Sequence, residues 1–145
     1  MGLHRFKPLP SGRMGIIWTL ATVRGASLVE FGCMGHMLYS RVTLERAGVR
    51  DACNLYSTHI DETDIALGSA DRLYHTVKHV VNRDKPKVIF LTPSSVPEII
   101  GVDLFALSEE LQREYPNVHF LPFGYGGFDV TRHRGVEEAL LLLAK

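Results

Sequence analysis

The chain has 145 residues, 46% hydrophobic and 22% charged, with 16 basic and 16 acidic side chains and a formal net charge of zero. That length suits one globular domain able to bury roughly 68–70% of its unfolded surface. The balanced charge gives no electrostatic case for nucleic acid or an anionic membrane, and no apolar run approaches the ~20 residues that span a bilayer. Residues 1–10 carry His4, Arg5 and Lys7 with no apolar core behind them, which is not a signal-peptide pattern. Two cysteines, Cys33 and Cys53, are too few for a disulfide framework, so a reducing cytoplasm is the expected location.

Strand and helix patterns alternate with short connections. Ser27 to Phe31 predicts the first strand, running into Gly32-Cys33-Met34-Gly35-His36 and then a helix over 37–47 closed by Gly48. Cys53 to Thr58 is a weaker strand candidate. Leu73, Val77, Val80 and Val81 recur at i, i+4, i+7 and i+8, the spacing of one helix face, and Pro86 stops that helix.

Val88 to Leu91 predicts a buried strand that breaks at Pro93 into a small-residue loop, turning through Pro97 and Gly101. A helix over 103–114 follows with Leu104, Leu107 and Leu111 on one side, then a strand over 118–121, a glycine-rich loop over 123–128 and a last helix over 136–143. That alternation predicts right-handed βαβ crossovers in a single Rossmann-like α/β domain. The expected form is three layers around a four-stranded parallel sheet of order 2-1-3-4, with ligands at the carboxyl edge. The run Leu140 to Leu143 fits either a terminal helix packed on the sheet or a helix continuing toward further domains, and it predicts exposed apolar surface.

Several chemistry-bearing residues stand out. Cys33 and His36 share one glycine turn and could supply two metal ligands, or Cys33 is a small buried hydrophobe. His75 and His79 have metal-ligand spacing on a helix but lack a third ligand, so a solvated face is the expectation. Glu98 and Asp103 could orient a substrate or cap the next helix, with capping favoured for Asp103; Cys53 is expected in the core. Tyr125 and Phe128 could line a pocket or anchor a loop. Neither phosphate-binding nor dinucleotide-binding glycine motifs occur.

The segment Ser94-Ser95-Val96-Pro97-Glu98-Ile99-Ile100-Gly101-Val102-Asp103 closely resembles a loop of the nitrogenase component 1 family, where a cysteine stands at the position of Ser95. Ser57-Thr58 through Glu62, Asp64 and Gly68, Gly32-x-x-Gly35 with His36, and Gly126-Gly127-Phe128 with Gly135 resemble further family segments in the same order. The resemblance implies the first of three Rossmann-like domains of a longer subunit, and an iron–sulfur cluster. It also implies a second component 1-type subunit or a homo-oligomer, and an ATP-dependent reductase partner. The three cluster-cysteine positions correspond here to Ser11, His36 and Ser95. Cys33 is then the candidate metal ligand, and Cys33, His36, Ser95 and Glu98 the candidate cofactor-binding set. Two functions follow as expectations: an oxidoreductase domain in cluster-mediated electron transfer to an unspecified substrate, or a non-catalytic binding or cofactor-assembly module that has lost its iron–sulfur ligands.

Overall fold

A computed structural model describes residues 11–49, 53–68, 70–124 and 131–144. Tyr125 and Phe128, with the Gly126-Gly127 pair, lie outside the described residues. The elements are α1 (Gly12–Leu20), β1 (Ser27–Phe31), α2 (Met34–Arg46), β2 (Asn54–Ser57), α3 (Glu62–Leu67), α4 (Asp71–Asp84), β3 (Val88–Pro93), α5 (Ser95–Ile99), α6 (Leu104–Glu114), β4 (His119–Pro122) and α7 (Arg132–Leu143).

The strands form one sheet of order β2-β1-β3-β4 with every pairing parallel, as expected. All five residues of β1 are buried, because helices cover both faces of a parallel sheet. Side chains alternate across it. Val29, Phe31, Ile89 and Leu91 join Leu73, Val77 and Val80 of α4 and Leu104 and Leu111 of α6 in one core layer. Leu28 and Phe90 point the other way, into Ile16, Ile17 and Leu20 of α1, Met37 and Leu44 of α2 and Ala139 of α7.

Local chemistry sets the helix ends. The Asp103 carboxylate accepts from Phe105 N (3.1 Å) and Ala106 N (3.0 Å), satisfying two orphan donors at the start of α6. Asp61 and Asp64 make a reciprocal capping box on α3, which Gly68 closes at φ 63°.

Several segments differ from the sequence expectation, the short helix α3 and the start of α7 at Arg132 rather than 136 among them. Residues 95–99 form a short helix rather than a loop: Pro97 falls in its first turn, where a missing N–H loses nothing. α2 starts at Met34, three residues early, so Gly35 and His36 are helical and Cys33 is the N-cap. α1 had no amphipathic period to announce it, since nearly every side is covered: Gly12 to Ile17 and Leu20 are all buried.

α1 lies against α7 at a separation that only glycine permits. A Cβ on Gly15 would fall well inside contact distance of the Arg132 carbonyl oxygen, and one on Gly135 would do the same at the Gly12 carbonyl. Gly135→Ala is therefore expected to destabilise the fold by about 3 kcal/mol in urea titration, since both obstructing groups are backbone. Gly35→Ala, with nothing within 4 Å of the new methyl, is expected to be neutral or stabilising by about 0.5 kcal/mol.

Candidate functional site

In a parallel sheet every strand delivers its following loop to the same carboxyl edge, and here the described segments are residues 32–36, 58–61, 94–102 and 123–124. Gly32 is the hub. Its N–H donates to Thr58 Oγ1 (3.0 Å), and its carbonyl accepts from Ile60 N (3.1 Å) and from the hydroxyls of Ser57 (3.2 Å) and Thr58 (3.3 Å). On the other side Ser94 N donates to Phe31 O (2.9 Å), and a Cβ on Gly32 would overlap the Ser94 side chain. Only a glycine admits Ser94 there.

The sequence-predicted residues gather around this hub in two groups. Cys33, half-buried, caps α2 through its backbone without a side-chain cap bond, and His36 N donates to Cys33 O (3.2 Å). The His36 Nδ1 atom is enclosed without a hydrogen-bond partner. Ser95 and Glu98, both half-buried, belong to α5, but it is the neighbouring Ser94, fully buried with an unpartnered Oγ, that packs under Gly32. Ser11 stands at the N-cap of α1, bridged to Thr131.

The other candidates fall elsewhere. His75 and His79 are exposed on α4, with His79 edge-on to Tyr56 at 6.3 Å. Burial pushes the Cys53 thiol up to about 12, against the partly opposing hydrogen bond at the Leu28 backbone.

One group beneath the edge went unpredicted. Glu30 is fully buried in β1 and pairs with the Arg13 guanidinium of α1. Arg13 Nη2 also donates to Ser40 Oγ of α2 (3.1 Å), which itself donates to His36 O (3.0 Å). Glu30 Oε2 and the hydroxyls of Thr92, its register partner on β3, and Ser94 have no partner. A charge among the apolar residues Leu28, Val29 and Phe31 was the signal: such a residue requires an opposite charge folded onto it.

These donors do not fit a resident iron–sulfur cluster. Clusters take thiolates, and a serine hydroxyl is a harder, poorer ligand. Ser11, His36 and Ser95, which the resemblance sets at its cysteine positions, bring no thiol, and among the described residues no three His, Cys, Asp or Glu side chains converge to hold a metal. An apolar crevice of about 560 Å³ does open beside the hub, between Phe31, α3 and the start of α6. Its rim includes Leu67, 77% exposed, and Ile100.

A parallel 2-1-3-4 sheet with its glycine hub and helix N-termini at the carboxyl edge defines a Rossmann-like domain. Residues 11–144 match the family model described as nitrogenase component 1 type oxidoreductase, and the chain belongs to that family. It is 29% identical over 89 residues to the nitrogenase iron-molybdenum cofactor biosynthesis protein NifE of Bradyrhizobium diazoefficiens, covering 59% of this chain and 16% of that protein. To NifE of Klebsiella pneumoniae it is 34% identical over 71 residues, covering 48% and 14%. To NifN of Bradyrhizobium diazoefficiens, likewise a cofactor biosynthesis protein, it is 27% identical over 112 residues, covering 77% and 24%. The chain thus spans less than a quarter of the length of these curated relatives. Its fold matches the solved structure of nitrogenase Cp1 at pH 5 with a TM-score of 0.82 at 16% identity, over 100% of this chain and 31% of that one.

Three measurements check these placements. At pH 8 a thiol titrating near 12 is ionised to about one part in ten thousand, so iodoacetamide is expected to label Cys33 and spare Cys53 until the chain unfolds. From about pH 9, where the unfolded thiol ionises, the folded chain keeps a proton that the unfolded chain loses. Stability therefore falls as pH rises toward 12, and Cys53→Ala should flatten that slope in alkaline urea titrations. Arg13→Met, which strands the Glu30 charge, is expected to destabilise by about 4 kcal/mol, and adding Glu30→Leu to recover most of that loss.

Proposed function

We propose that this chain is a component 1-like cofactor-assembly or binding module rather than an electron-transferring catalyst. The observation that carries this is the donor set at the carboxyl edge. Three positions that would need thiolates hold Ser11, His36 and Ser95, leaving Cys33 as the one thiol at the edge. A lone thiolate with one imidazole under-coordinates an iron–sulfur cluster but can grip metal-containing cargo presented by another protein. Similarity to NifE and NifN, whose names describe cofactor biosynthesis, supports assembly over turnover.

Such a module needs partners, and its surface suits them. Met34, Leu38, Tyr39 and Val42 leave an apolar stripe exposed along α2, starting one residue after Cys33. Leu67 and Ile100 line the crevice beside the hub, Ile99 and Phe105 are exposed on α5 and α6, and Leu140, Leu141 and Leu143 are exposed on α7. Apolar groups on this scale are characteristic of protein contact surfaces. A second component 1-type subunit, or a second copy of this chain, would cover α2 and bring further ligands to Cys33. An ATP-dependent reductase would be the partner only if the edge accepts electrons. A reducing cytoplasm suits the free Cys33 thiol.

Anaerobic reconstitution of the chain with iron and sulfide, read by absorption and electron paramagnetic resonance, tests the proposal. The chain alone is expected to stay colourless; together with a component 1-type partner subunit it is expected to retain iron, and Cys33→Ala to release it. A stoichiometric cluster on the chain alone, lost on Cys33→Ala, would mean direct ligation and revive the electron-transfer function. Failure to retain iron even with the partner would remove metal cargo from the account.

A further inference from the structure

We infer that Arg13, Glu30 and Ser40 form a buried positioning network that fixes the Cys33–His36 turn, an inference that rests on the proposed role of that turn in holding cargo. The connection is continuous. Glu30 lies two residues before Gly32 on β1, Arg13 reaches it from α1, and Arg13 Nη2 holds Ser40 Oγ at 3.1 Å. Ser40 Oγ in turn donates to the carbonyl of His36 at 3.0 Å, one helical turn back toward Cys33. Three segments that carry candidate edge residues (Ser11 on α1, Gly32 after β1, and Cys33 with His36 on α2) are therefore tied together from below.

Stability is a poor explanation for this arrangement. The same face of the sheet is filled by Ile16, Ile17, Leu20, Leu28 and Phe90, and an apolar pair in place of Arg13 and Glu30 would serve such a core as well. Glu30 Oε2 is also left bare, so the network is not saturated. What the ion pair supplies is direction: a forked guanidinium can hold a carboxylate and a hydroxyl at set angles at once, which an ammonium or an aliphatic chain does not.

The test uses the full chain and reads Cys33, since burial pushes the Cys53 thiol up to about 12 and it is expected to stay unlabelled. Ser40→Ala leaves the ion pair intact and cuts the link to His36. It is expected to keep the urea midpoint, raise the Cys33 alkylation rate about fivefold, and speed amide exchange about tenfold in residues 34–38 but not in 42–46. Arg13→Met with Glu30→Leu should raise Cys33 alkylation and local exchange in the same way, with a midpoint somewhat below that of the parent. If that pair fails to fold, Ser40→Ala decides alone. Alkylation within about twofold of the parent with unchanged local exchange would overturn the inference. So would exchange that rises evenly through α2 and the sheet with a lower midpoint, since that marks a merely structural role. These rates do not depend on iron, so failure of the cargo proposal in reconstitution remains a separate result.

Discussion

The carboxylate of Glu30 has no route to water, and that one fact constrains much of the layer above it. A charged group in a strand covered on both faces must bring its counter-ion with it. Arg13 supplies it, which fixes α1 against β1. Once α1 lies there, its glycine face meets α7 and its guanidinium meets α2. Three helices on one side of the sheet are thus oriented by a polar contact, while the apolar groups around it supply the bulk of the burial.

The opposite layer is organised by shape alone. Leu73, Val77 and Val80 of α4 and Leu104 and Leu111 of α6 pack on Val29, Ile89 and Leu91 with no buried charge among the residues of that cluster. The two faces of the sheet therefore differ in kind: one is an ordinary aliphatic core, and the other carries hydroxyls, a carboxylate and a guanidinium directly beneath the edge where the candidate ligands stand. That asymmetry is what a domain needs if one side holds the fold and the other holds a site. Neither apolar cluster includes Ser11, His36 or Ser95, so the bulk of the burial does not depend on which side chains stand there.

Much of this was legible in the sequence because the informative residues act locally. Val88 to Leu91 is a short apolar run with β-branched residues bounded by Pro86 and Pro93, which suits a strand covered on both faces; Asp103 caps because its carboxylate reaches the amides of Phe105 and Ala106; and alternating strands and helices leave few topologies but the parallel one observed. What was not legible depends on distance. α1 is apolar nearly all round, so no period marks it, and only its burial between sheet, α2 and α7 explains it. The pairing of Arg13 with Glu30 joins residues on separate elements, and nothing in either neighbourhood names the other. Ser94 rather than Ser95 packs under Gly32 because strand alternation continues past Pro93, a register effect visible only once β1 and β3 are aligned. α3 could have been found: Asp61, Asp64 and Gly68 are a complete set of start and stop signals for six residues.

The glycine-mediated crossing of α1 and α7 also bears on how the chain folds. It joins the first and last described helices, with Ser11 bridged to Thr131, so it closes a loop spanning most of the sequence. Closing a loop of that length costs chain entropy that is recovered only when the contact completes, which raises contact order and slows folding. On a ribosome α1 emerges well before α7. Until α7 arrives, the face of α1 around Gly15 has no covering helix, and its apolar neighbours stay open to whatever else is nearby.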